Sequence, residues 1–341
     1  MIDVHSHVMP RLPRPRRGSG RPALWLRVDD AERGMMMRGD EEYRPVQAAL
    51  WDPDRRVAEL DVLGVDRQVV CVPPLLFAYD LDPAAGAAWA AEVNDRVLEL
   101  TRGHPDRLLP FCQVPLQDTD AACAEVDRAV AAGHRGVQIG THVGDRPLSD
   151  PAICAFLDHC AATGVPVLVH PWDMTPDPRL EHHMLQWLVG MPAETHLAVL
   201  DLALEGAFDR LDPRLRLCFA HGGGAFAFLV GRADNAWHRR DIVRRSSSLP
   251  PSAYVDRFYV DSAVFDTRSL RLLVEVMGSD RVLLGSDHPF PLGEERIGEL
   301  VRSAPLDGVQ KREILHEAPR RWLGLDDAGA ALAASAAGRG A

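Results

Sequence analysis

The chain opens Met1-Ile-Asp-Val-His5-Ser-His7-Val-Met-Pro10. Ile2, Val4 and Val8 are strand formers, and Pro10 ends the run. Side chains two apart in a strand share a face. Asp3, His5 and His7 are therefore expected to point one way, and Val4, Ser6 and Val8 the other. Two imidazoles about 7 Å apart on a rigid strand can close on one metal ion. A lone His-x-His also reads as two surface histidines on an edge strand, so the rest of the chain has to decide.

Working outward, apolar strand-like runs recur at 68–72, 108–114, 136–139, 165–170, 215–221, 258–263 and 282–287. Helix-like stretches lie between them: 53–63, 83–102, 119–132, 150–163, 191–209, part of 224–243, and 267–278. A last helix is expected over about 308–323, and Asp52 before Pro53 reads as a helix cap. Continuous apolar strands joined by helices indicate a parallel sheet. Eight such units predict an α/β fold, a (β/α)8 TIM-like barrel, as a single domain over residues 1–325. An open doubly wound sheet is the alternative, but no Gly-x-Gly-x-x-Gly follows any strand. The first unit carries a long insertion, 11–52, rich in Arg, Pro and Gly, which reads as an irregular lid over the site. The Ala/Gly-rich tail, 326–341, reads as disordered.

Composition narrows the partners. A net charge of −11 and no basic run beyond a short Arg/Pro stretch at 11–21 argue against nucleic acid. An anionic substrate then needs a local positive site, from a metal or a few placed arginines. No apolar run is long enough to cross a membrane, and a strand starting at residue 2 leaves no room for a secretory leader. The six cysteines show no Cys-x-x-Cys spacing and read as buried thiols of a cytoplasmic protein. Lys311 is the only lysine, and it sits in a charged helical segment. A catalytic or carbamylated bridging lysine is thereby removed from every strand end.

In a barrel of this kind, function gathers where the strands end. The first strand ends with His5 and His7, the fifth with His170-Pro-Trp-Asp173, the sixth with His221-Gly-Gly-Gly224, and the eighth with Asp287-His288-Pro289. His5, His7, His170 and Asp287 supply three imidazoles and a carboxylate. A borderline divalent ion such as Zn²⁺ accepts that set and keeps a place for water. His221 is then free as acid/base, although a fifth ligand or a propping role is the other reading of it. Asp3 is expected to orient a histidine or the strand end. The other histidines, such as His104, His134, His159, His196 and His316, read as solvated or packing residues.

These motifs resemble the amidohydrolase superfamily and, within it, the aminocarboxymuconate semialdehyde decarboxylases. The stretches that carry the resemblance are Asp3-Val-His5-Ser-His7, His170-Pro-Trp-Asp-Met174, His221-Gly-Gly-Gly-Ala-Phe226 and Gly285-Ser-Asp287-His-Pro-Phe-Pro-Leu-Gly-Glu294. Tyr43-Arg44-Pro-Val46, Gln113-Val-Pro-Leu-Gln117, Trp187-Leu-Val-Gly-Met-Pro-Ala-Glu194 and Gly231-Arg232-Ala-Asp-Asn-Ala-Trp237 extend it. The resemblance implies one Zn²⁺ per subunit on His5, His7, His170 and Asp287, with His221 as the catalytic histidine. It implies that Arg44 grips a substrate carboxylate, that Trp187 lies near the substrate, and that Arg232 enters the active site of a neighbouring copy in a homodimer. The implied reaction is a non-oxidative decarboxylation in tryptophan breakdown. His288 stands where such relatives carry Tyr, and the insertion differs from theirs. Other readings are a related ortho-hydroxybenzoate decarboxylase, a mononuclear amide or lactone hydrolase, and a metal-loaded barrel used only for binding.

Overall fold

Aspartate followed by proline starts three of the helices. Asp52, Asp82 and Asp150 accept backbone N–H groups from the first turns of Pro53–Leu63, Pro83–Thr101 and Pro151–Thr163. Asp118 and Asp266 do the same for Thr119–Ala132 and Thr267–Met277. Each carboxylate satisfies an orphan donor and faces the positive end of the helix, while proline at the first position forfeits no internal bond. The expected helix over 191–209 is instead two, Met191–Leu204 and Ala207–Arg210. Gly206, at φ +64°, breaks it.

The computed structural model describes residues 1–14 and 24–325. The tail expected to be disordered lies outside the described residues. Among the described residues thirteen strands run in chain order: β1 Ile2–Asp3, β2 Leu24–Val28, β3 Arg33–Arg38, β4 Glu41–Gln47, β5 Arg67–Val70, β6 Leu108–Cys112, β7 Gly136–Gly140, β8 His142–Val143, β9 Arg146–Pro147, β10 Val167–His170, β11 Leu217–Phe219, β12 Tyr259–Asp261 and β13 Val282–Leu283. Eight of them form one parallel sheet, ordered β1-β5-β6-β7-β10-β11-β12-β13. This is the expected TIM-like barrel.

The insertion differs from its reading as irregular chain. β2, β3 and β4 form an antiparallel sheet, with Met36 opposite Arg44. Its alternation of buried and exposed residues (Leu24, Leu26, Met36 and Val46 are buried) was masked in the sequence by the surrounding arginines and prolines.

Two apolar layers position the site. Outward-facing residues such as Val70, Val137, Val169, Phe219, Val260 and Leu284 pack against the helices. Inward-facing Ile2, Val4, Val69, Leu109, Phe111, Leu168, Cys218 and Leu283 fill the lower barrel. Trp322, from the last helix Ala318–Leu323, closes the floor, its ring 5.5 Å from Phe111.

The first strand does not keep the expected alternation. Ile2 and Val4 both join the inner layer, which turns Asp3 to the other side. Asp3 Oδ2 accepts from Gln68 Nε2 at 2.8 Å and from Ser286 Oγ at 2.6 Å. The ladder stops at Asp3, the pleat breaks, and His5 follows Val4 inward. Asp3 also accepts from His5 N at 3.2 Å, so it fixes the strand end, as one of its expected roles required.

Candidate metal centre and active site

The strand ends bring five side chains together at the mouth of the barrel. The rings of His5, His7, His170 and His221 lie with centroids 4.9–5.2 Å apart in the contacting pairs. Ligand atoms of His5, His170, His221 and Asp287 all lie within 4.8 Å of one another. His7 Nε2 is 3.2 Å from His5 Nε2 and 3.0 Å from Asp287 Oδ1. Asp287 and His221 have φ of +58° and +55°, a region side chains seldom occupy. Such strain persists where the surroundings over-determine it, commonly at functional sites.

Second contacts fix three of the rings. His5 Nδ1 meets Asp261 Oδ2 at 2.6 Å, His170 Nδ1 meets Pro171 O at 2.8 Å, and His7 Nδ1 meets Val72 O at 3.4 Å. Carbonyls and an ionised carboxylate only accept, so each Nδ1 carries the proton and each Nε2 presents its lone pair. Burial lowers the pKa of His7. Burial, with the nearby His221, His5 and His7 rings, puts His170 well below the usual imidazole range. Burial works against a proton on His5, but Asp261 and Asp287 outweigh it and raise its pKa. Their negative charge thus draws a cation to this nitrogen.

Opposed lone pairs and a carboxylate, buried and 3.0–3.6 Å apart among His5, His7 and Asp287, repel one another unless a cation lies among them. Asp287 Oδ1 is buried with no hydrogen-bond donor, as a ligand oxygen is. The residues present therefore fit a divalent ion. His221 differs from the other rings: its Nδ1 is buried without a partner, and its Nε2 lies 3.8 Å from Asp287 Oδ2.

Above the cluster lies a cavity of about 810 Å³, walled mainly by Met36, Trp172, Trp187, Phe228, Phe265 and Phe290. Arg44, on β4, is the only Arg or Lys lining it among the described residues. Its guanidinium sits 5.3 Å from the Trp187 and Phe290 rings and 5.7 Å from Tyr43, with no carboxylate against it among the described residues. Arg232 is exposed on the helix Phe226–Arg239 and does not line this cavity. It lies one turn beyond Phe228, which is 79% exposed. Gly222 and Gly224 line the pocket, but the tightest approach at Gly224 is to Pro192 O, which a Cβ would meet at 2.2 Å.

A family model described as amidohydrolase matches residues 2–325. The chain belongs to the amidohydrolase family. Within the family, it is 35% identical over 331 residues to 2-amino-3-carboxymuconate-6-semialdehyde decarboxylase of Dictyostelium discoideum, covering 95% of this chain and 92% of the other. To the protein of that name in Caenorhabditis elegans it is 30% identical, covering 96% and 94%. Solved structures share the fold. IDCase of Metarhizium anisopliae, in apo form, superposes with a TM-score of 0.81 at 23% identity, covering 95% of this chain and 97% of the other. A dihydroxybenzoic acid decarboxylase of Polaromonas sp., with bound manganese and 2-nitroresorcinol, gives 0.75 at 20% identity, covering 95% and 97%.

Sequence reasoning missed Asp261. It ends β12 at the mouth, as the other site residues end their strands, so the signal was available. Besides His5, it accepts from Gly222 N at 2.9 Å and Ala263 N at 3.0 Å, which ties three strand ends together. Of the other histidines, His104 pairs with Asp54 and His159 with Asp127, away from the site. All six cysteines are free, four of them buried. No helix among the described residues is long and apolar enough to cross a membrane.

Proposed function

We propose that the chain is a metal-dependent carboxy-lyase. It removes CO₂ without oxidation from 2-amino-3-carboxymuconate-6-semialdehyde, or a substituted analogue, and leaves 2-aminomuconate semialdehyde, in tryptophan breakdown through the kynurenine route. Arg44 is the observation that carries this reading. An uncompensated guanidinium, packed among aromatic rings above a cation site, calls for a ligand with a second anionic group. A substrate with two carboxylates meets that need. An ortho-hydroxybenzoate whose carboxylate and ortho oxygen both lie at the cation site has no second carboxylate for Arg44.

The residues divide the work. His5, His7, His170 and Asp287 hold one Zn²⁺, with Asp261 fixing the His5 ring. The bound ion supplies Lewis acidity toward a substrate oxygen. Arg44 takes the carboxylate that stays, so the other one lies over the cluster. Trp187 and Phe290 hold the conjugated chain flat and keep water out. When the C–CO₂ bond breaks, its electron pair remains on carbon, and His221 delivers a proton there from Nε2. Arg232, exposed beside Phe228, would enter the cavity of a second copy in a homodimer. The free thiols fit a cytoplasmic setting.

Metal analysis with turnover of freshly generated substrate tests this, following loss of its chromophore and release of CO₂. The expected result is about one zinc per chain and stoichiometric CO₂. Acid release without CO₂ would make the protein a hydrolase, and turnover only of hydroxybenzoates would make it the sister decarboxylase. Arg44→Ala is expected to raise KM for the dicarboxylate by about 10- to 100-fold, the worth of one charge-assisted contact.

A further inference from the structure

The barrel closes unevenly. Seven neighbouring strand pairs share ladders, but β13 and β1 do not. Their seam is held by scattered bonds: Val4 N to Leu284 O at 2.8 Å, Asp287 N to His5 O at 2.9 Å, His7 N to His288 O at 2.8 Å, and one bridge between Ser6 and His288. Three of the four proposed ligands, His5, His7 and Asp287, sit on this seam. Something other than a ladder must set their spacing.

Arg56 occupies the place to do so. It projects from the helix Pro53–Leu63 and is 1% exposed, yet among the described residues no carboxylate bonds to it. All its acceptors are neutral. Nε donates to Ala49 O at 2.8 Å, and one terminal nitrogen reaches Gln68 Oε1 at 2.7 Å, Ser6 Oγ at 3.2 Å and His288 Nδ1 at 3.3 Å. The other donates to His7 O. One planar group thus grips the chain between and at two ligands, His5 and His7, and the residue that follows the third, Asp287. His288 is in turn 3.3 Å from Glu59 on the same helix, and Gln68 passes the connection on to Asp3 and Ser286.

A buried guanidinium costs far more than a buried apolar side chain of its size, so its retention calls for a reason that an apolar replacement would not meet. We infer that Arg56 is a positioning residue for the metal centre, a clamp across the closing seam that sets the distance between the His5–His7 pair and Asp287. This rests on the ligand set proposed above. A lysine cannot replace it, because one ammonium cannot reach both sides of the seam in the same plane.

The test is zinc affinity of the metal-free protein, by competition with a chromophoric chelator. Arg56→Lys and Arg56→Ala are compared with wild type, and circular dichroism of each apo form reports folding. Both variants are expected to bind zinc about 10- to 100-fold more weakly, as when other supports of ligand residues are lost. Millimolar methylguanidinium is expected to restore part of the affinity to Arg56→Ala and none to Arg56→Lys. If Arg56→Ala does not fold, Arg56→Lys and Gln68→Leu carry the measurement. Folded variants that bind within two-fold of wild type would overturn the clamp alone. A wild-type protein that takes up no divalent ion would overturn the ligand set and the clamp together.

Discussion

Single residues in this protein are legible or hidden according to what their role needs. His5, His7, His170, His221 and Asp287 stand out because strand ends can be read from apolar runs, and the structure brings all five together. Asp261 ends its strand as they do and was open to the same reading, whereas Arg56 is hidden because its role depends on which carbonyls it meets, and spacing carries no such information. His134 shows the same limit. Read as a solvated or packing residue, it is buried, donates from Nε2 toward Asn94 O at 3.2 Å, and has an unpartnered Nδ1. Burial drives its pKa down to about 4. Below its ordinary value of about 6.5, the unfolded chain takes up a proton that the folded chain refuses, so stability falls as pH drops from 6.5 toward 4. Urea unfolding of wild type and His134→Gln should diverge accordingly. Between pH 7 and pH 5 wild type is expected to lose about 2 kcal/mol more than the variant. Parallel pH profiles would reject the assignment.

At the scale of elements, regular units were predictable and their departures were not. The Asp-Pro caps and the alternation of apolar strand and helix announce the barrel. The broken pleat after Asp3 and the order within the insertion depend on partners far away in the chain. The sheet of β2–β4 carries Arg44 over the pocket and is closely packed at Gly34, between its own β2 and the Trp51 ring. A Cβ there would stand 2.8 Å from Arg27 O and 3.1 Å from the Trp51 ring. Gly34→Val is therefore expected to shift this sheet at a cost of about 1–3 kcal/mol. Steady-state kinetics should show a raised KM with metal content unchanged. A variant that loses its metal instead would show the sheet to be part of the metal centre's support.

Among the described residues, Arg44 is the one Arg or Lys that lines the pocket, while Arg232 stands on the outer face. The homodimer proposed here makes a definite arithmetic prediction. Arg232→Ala and His221→Ala chains are each expected to be nearly inactive. Mixed and reassembled in equal amounts, half of their dimers pair unlike chains, and each of those holds one complete site. About a quarter of wild-type activity should return. No recovery, with mixed dimers present by mass, would place Arg232 outside the neighbouring site.

The floor of the barrel has a consequence for synthesis. Trp322 seals a layer that begins at Ile2, so the two ends of the described chain complete one structure. The ribosome delivers those ends at opposite times, and its exit tunnel still holds the last helix when every strand has emerged. The nascent barrel therefore keeps its underside open until the last helix has left the tunnel. A C-terminal extension long enough to clear the tunnel should let the enzyme mature while still tethered, and stalling at Leu323 should not.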